Sequence, residues 1–233
     1  MKCYALVLGL FLSSSFVAGA AITGLINTGT DGSGSLLADG SVQPGWTITS
    51  VVPSNPPGGL TPPTPPSSAY VVTAYGYWIP NNAVSKWISY STPLFTGGDI
   101  YREFTYSLTF QAAAGDNFFM RFSADNGTKA YLNQTPSSGL LFDWGSPDAG
   151  NFTAFQSFSP WLNVSGVGNG QNTLTFVVDN LNQDYLNPTG LRVEFSLEEP
   201  QLAVVPEPST FLAGALLMLP FGLARLRLLR NRR

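Results

Sequence analysis

Histidine is missing from the 233 residues altogether, and cysteine occurs once, as Cys3. Together these absences remove Ser-His-Asp and Cys-His nucleophilic catalysis and the ordinary zinc sites, which are built from His nitrogens and Cys thiolates. Cys3 falls in a segment expected to be cleaved off, so the mature chain is left without a thiol or a disulfide. Charge is scarce too, at 11% of residues, and five of the eleven Lys and Arg crowd the last nine positions. Nucleic acid is held by clustered cations that displace counterions from phosphates, so nucleic-acid binding is not expected of the dispersed remainder. The sequence is rich instead in Gly (24), Pro (18) and aromatics (13%), the habit of secreted β-proteins with many tight turns.

Both ends carry topology signals. Lys2, the apolar residues 4–17 and then Ala18-Gly19-Ala20 have the charged, apolar and small-residue regions of a secretory signal peptide. Ala18 and Ala20 supply the small side chains that signal peptidase needs, and cleavage is expected after Ala20. At the other end, Pro206-Glu207-Pro208-Ser209-Thr210 precedes an apolar run, 211–224, and then Arg225, Arg227, Arg230, Arg232 and Arg233. The run has 14 residues, and 19 if taken to residue 229, against the ~20 that a spanning helix needs. Arg225 and Arg227 can snorkel their long stems to the headgroups, and Pro220 and Gly222 are tolerated in a membrane helix. Arginine stays on the cytoplasmic side, so residues 21–205 are expected outside. There five cations face thirteen acids, a net charge of −8 that the terminal arginines mask in the whole-chain value of −3.

The order Pro206-Glu207-Pro208, apolar segment, arginines resembles the PEP-CTERM sorting signal of Gram-negative bacteria. The resemblance implies processing near that tripeptide by an exosortase-type enzyme. It further implies an inner-membrane-anchored precursor with a periplasmic ectodomain, then delivery to the cell surface or extracellular matrix.

The stretch between the two signals, 185 residues long, is sized for one domain. Residues 24–45 are turn-rich, with Asn27-Thr28-Gly29, Asp31-Gly32-Ser33-Gly34 and Asp39-Gly40. Residues 46–52 read as a strand, and 53–66, with seven prolines, as a polyproline II loop inside the domain. A strand is expected over 70–78. Residues 101–110 show the clearest period of two, placing Phe104, Tyr106, Leu108 and Phe110 on one face and Glu103, Thr105, Ser107 and Thr109 on the other. After a strand at 118–124, Asp125-Asn126-Gly127 is expected to form a hairpin turn into 128–132. Residues 136–150 read as a loop, 152–158, 161–164 and 173–179 as strands, and in 191–197 Leu191, Val193, Phe195 and Leu197 point inward while Arg192, Glu194 and Ser196 point out. Roughly eight to ten strands and no amphipathic helix before Phe211 select an all-β fold, an antiparallel β-sandwich or jelly roll. The pieces 24–29, 85–89, 125–127, 155–158, 170–180 and 187–194 resemble the sandwich of many PEP-CTERM proteins, which is similar to galactose-binding-like jelly rolls. That likeness implies the fold of many carbohydrate-binding modules.

Three chemistries remain open. Glycoside hydrolysis needs one protonated and one ionised carboxylate, for which Asp143, Asp148, Asp179 and Asp184 are candidates, although each sits in turn-like sequence where an aspartate commonly caps. A polysaccharide-active hydrolase using two of them is the rival reading. Calcium takes six to eight oxygen ligands, and Asp31, Asp39, Asp125 and Asp179 are the candidates for a structural ion, in no EF-hand pattern; no other cofactor is expected. Sugar recognition uses aromatic rings, because a pyranose has an apolar face. The candidates are Trp78, Trp87, Trp144 with its neighbour Asp143, and Trp161, with Tyr75, Tyr77 and Tyr185 nearby in sequence. Tryptophans beside strands are more often core or rim, and Trp87 and Trp144 are the expected exceptions. The expected role is an exported, non-catalytic surface or matrix protein, carbohydrate-binding or structural within exopolysaccharide.

Overall fold

A computed structural model describes residues 22–53, 64–91, 101–133, 139–145, 156–180 and 188–200. The signal peptide with Ala18 and Ala20, and the tail with Pro206, Glu207 and Pro208, lie outside them. The chain divides after Glu199, and every strand falls in Met1–Glu199. Among the described residues no helix is long and apolar enough to cross a membrane.

The described residues form ten strands: β1 (Val42–Pro53), β2 (Ser67–Val72), β3 (Trp87–Ser89), β4 (Tyr101–Ala112), β5 (Phe118–Asp125), β6 (Gly127–Leu132), β7 (Leu140–Asp143), β8 (Leu162–Val164), β9 (Gly170–Asp179) and β10 (Gly190–Ser196). All pairs are antiparallel, in the order β7-β6-β9-β4-β1-β2-β3-β10-β5-β8. The all-β expectation is met. The longest ladder joins β4 to β9, from Glu103↔Asp179 to Ala112↔Gly170, and there the predicted alternation is realised: Phe104, Tyr106, Leu108 and Phe110 are all buried.

The sheet folds over so that its two halves face each other and the apolar alternates of both fill the space between. Phe122 of β5 meets Phe176 of β9 at 5.3 Å between ring centroids, Phe110 of β4 meets Phe118 of β5 at 5.4 Å, and Trp46 of β1 stacks on Phe195 of β10 at 6.4 Å. The register between β1 and β2 shifts between Val42 and Thr47. Gly45, at φ 74°, lies in that irregularity, where a Cβ would stand 3.1 Å from Ile26 and 3.2 Å from Leu108. Only glycine combines the left-handed backbone with that close approach.

Several expectations are corrected. Asp125-Asn126-Gly127 is not a hairpin: β5 and β6 lie in opposite halves, Asp125 pairing with Gly190 while Gly127 pairs with Asp179. A type I′ turn needs positive φ at both central residues, and neither Asn126 nor Gly127 has it. The tripeptide is a crossover. The expected strand 70–78 ends at Val72, after which residues 73–86 fold back as a loop closed by Trp78 N donating to Tyr75 O at 2.7 Å. Residues 140–143, read as loop, form the edge strand β7, and residues 156–158 are not a strand. Leu197 is exposed rather than inward.

Phe122 touches Phe142, Trp144 and Phe176, so Phe122→Ala opens a cavity at the centre of the fold. The expected cost is about 3–5 kcal/mol in urea unfolding, against about 0.5 kcal/mol or less for Thr109→Ala on the wet face of β4.

Candidate functional site

Alternation along β3, β10 and β5 puts a second set of side chains on the face turned away from the main core: Trp87 and Ser89; Gly190, Arg192 and Glu194; Arg121, Ser123 and Asp125. Sequence reading places Arg192 and Glu194 outward, and so they point. Both are nevertheless buried, because residues 73–86 and 158–161 cover that face.

Arg192 and Glu194 are both satisfied. Glu194 Oε2 accepts from Arg121 Nε at 2.8 Å and Nη2 at 2.5 Å. Glu194 Oε1 accepts from Ser85 Oγ at 2.6 Å, Asn82 Nδ2 at 2.9 Å and Arg192 Nη2 at 3.3 Å. Arg192 also donates from Nε to Ser85 Oγ and from Nη1 to the Pro80 carbonyl. Phe158 lies under both guanidiniums, at 4.3 Å and 4.8 Å, and Trp161 is 4.7 Å from Arg121. Burial alone would raise the Glu194 carboxyl, but bonds from Ser85, Asn82 and Arg121 outweigh it and hold the group below its ordinary value. Burial lowers Arg192 against the pull of Glu194.

Beside this cluster lies a small aromatic core. Trp78 and Trp87 pack at 4.3 Å between centroids, with Val72 alongside. Gly190 is their seat: a Cβ there would be 2.6 Å from Trp78 and 3.2 Å from Trp87. Trp78 Nε1 donates to Asp125 Oδ2 at 2.7 Å, and Thr189 Oγ1 donates to the Asp125 carbonyl at 3.1 Å. Asp125 Oδ1 is buried with no hydrogen-bond partner. Burial pushes the Asp125 carboxyl up to about 7, with the Trp78 bond opposing. The turn before Trp78 brings Tyr75 edge-on to both Tyr77 and Trp78, at 6.0 Å and 6.3 Å. Tyr77 is 73% exposed.

The residues singled out from sequence fare unequally. Trp87 and Trp78 are buried, so neither ring is open to a ligand as placed. Trp144 is half-buried, packed edge-on against Phe122 and Phe142, with its backbone N bonded to Thr128 O. Its neighbour Asp143 is exposed, accepts from Gly145 N at 2.8 Å and faces Lys129 at 3.8 Å. Asp143 and Asp179 flank β6 two residues out of register, opposite Lys129 and Gly127, while Asp148, Asp184 and Tyr185 lie outside the described residues. The four calcium candidates do not gather. Asp31 accepts from Ser33 and Ser35 in its own turn and is held low by those bonds. Asp39 is held low by Thr73 and Lys86. Asp125 is bonded to Trp78, and Asp179 sits across the crossover, its carbonyl accepting from Asn126 N. Among the described residues no three His, Cys, Asp or Glu side chains are placed to hold a metal ion.

The charge cluster escaped sequence reading. Its signal was Arg121 inside Phe118-Phe119-Met120-Arg121-Phe122 and the pair Arg192, Glu194 at strand spacing, in a chain with few charges to spare.

The described residues thus define an antiparallel all-β domain with loops pinned over one outer face. No protein-family model matches the sequence, and no curated protein is significantly similar to it. Among solved structures, one titled as a GH26-CBM35 β-(1,4)-mannanase from Podospora anserina is similar at 17% identity, over 60% of this chain, with a TM-score of 0.25. The match spans 27% of that structure's length, and likeness at this level establishes neither fold nor activity.

Two outcomes are expected. Replacing Glu194 by Gln leaves the buried Arg192 guanidinium and the partly exposed Arg121 without a counter-charge, so Glu194→Gln costs about 3–5 kcal/mol in chemical denaturation. For Asp125 the folded value lies above the unfolded one, so the native state holds a proton that the unfolded chain has released. Stability therefore falls as pH rises from about 4 to about 7, by up to roughly 1.4 kcal/mol per pH unit, and flattens above. Asp31, Asp39 and Glu194 are held low and act in the opposite sense, below the ordinary carboxylate range. With no histidine in the chain, melting temperature is expected to drop between about pH 4 and about pH 7, and Asp125→Asn to remove the slope.

Proposed function

We propose that this chain is an exported, non-catalytic cell-surface or matrix protein, sorted by an exosortase-type enzyme, whose mature domain is a jelly-roll sandwich that recognises carbohydrate or packs into exopolysaccharide. Export and sorting rest on the terminal signals of the sequence. Recognition rests on one structural observation: the loop 73–86 is fastened to the sheet by buried groups, Asp125 through Trp78, Arg192 through Pro80 and Glu194 through Asn82. A surface loop held by its own buried contacts loses little freedom on binding, which favours a preformed site for a weak, extended ligand.

Mass spectrometry of the protein isolated from its own cells tests the export half. The expected mature chain begins at Ala21 and ends near Pro206-Glu207-Pro208; recovery from cytosol with Met1 retained overturns it.

A further inference from the structure

We infer that the turn carrying Tyr75 and Tyr77 is the ligand-contacting surface, and that it takes an uncharged polysaccharide. The inference rests on the reading of the domain as carbohydrate-recognising and adds to it the contacting ring and the chemical class of the polymer.

Tyr77 is the most exposed large apolar side chain among the described residues. It is not a stray surface ring. Behind it stand Tyr75 edge-on at 6.0 Å, then Trp78 at 6.3 Å from Tyr75, then Trp87 at 4.3 Å from Trp78. Trp78 is fixed at its other end by Asp125, and its ring rests where Gly190 has no side chain. A ring on such a stack offers a stacking face whose ordering cost was met in folding, and a tyrosine has few torsions left to freeze. The apolar face of a neutral pyranose fits that offer, with the phenol available to a sugar hydroxyl. Trp144, the rival ring, is half-buried and packs at steep angles against both Phe122 and Phe142.

Charge selects the class. Lys86 faces Asp39 at 2.9 Å, Lys129 faces Asp143 at 3.8 Å, and Arg121 and Arg192 are both engaged by Glu194. Among the described side chains every Lys and Arg is therefore paired, in a stretch whose net charge is −8. A uronate or sulfate polymer would meet repulsion from that net charge, and among the described side chains every cation already faces a carboxylate.

The test is native affinity electrophoresis of the processed protein in gels containing glucomannan or xyloglucan as neutral probes, and alginate or polygalacturonate as anionic ones. Retardation is expected in a neutral gel and in neither anionic gel. Tyr77→Ala should weaken it about tenfold with an unchanged melting temperature, while Tyr77→Phe, which keeps the ring, and Trp144→Ala stay within about threefold. Neutral-glycan binding that survives Tyr77→Ala, or that is lost in Trp144→Ala, overturns the assignment of the ring alone. Retardation by alginate or polygalacturonate overturns the chemical class. No retardation in any gel overturns the carbohydrate reading and this inference with it.

Discussion

The arginine–glutamate–arginine cluster under the loops is the contact on which the outer layer of this domain depends. An uncompensated ion in a protein interior costs several kcal/mol, so once alternation along β5 and β10 places Arg121, Arg192 and Glu194 on one covered face, the cover must supply partners. It does so through Ser85 and Asn82 for the carboxylate, the Pro80 carbonyl for Arg192 and the Phe158 ring for both guanidiniums. The loops at 73–86 and 158–161 are held to the sheet by satisfying charges.

Two buried carboxylates a short way apart on this face show how partner number decides protonation. Glu194 accepts five hydrogen bonds from four residues and is held low; Asp125 accepts one, from Trp78, and burial drives it up. The first is a counter-ion. The second is an anchor that keeps its proton below about pH 7, and it ties the crossover between the two halves of the sheet to the aromatic turn at the surface.

The packing of that turn depends on an absence. Gly190 opens β10 directly beneath Trp78 and Trp87, and any side chain there would lift the indoles off the sheet. Lifting them would separate Trp78 from Asp125 and withdraw the support behind Tyr75 and Tyr77. Core, crossover and surface ring are thus linked by long-range contacts from Asp125 and Gly190 to Trp78 and by local ones from Trp78 through Tyr75 to Tyr77.

Much of the fold was legible in the chain. The period of two over residues 101–110 identified β4 and its buried face, because a pleated strand with one wet side must alternate, and the turn-rich, helix-poor composition selected an all-β class. The site was less legible. Asp125-Asn126-Gly127 has the composition of a hairpin, yet pairing with β9 and β10 recruits its two ends into opposite halves of the sheet, and nothing local encodes that. Trp78 and Trp87 had the composition of a sugar platform and lie inside. What the sequence by itself determined was the alternation along β4 and β10 and the absence of histidine, since these are read from the order of residues alone. Which outward residues are covered, which carboxylate keeps its proton and which ring meets solvent were decided only by tertiary structure, since burial is set by what folds over a residue and not by what stands next to it.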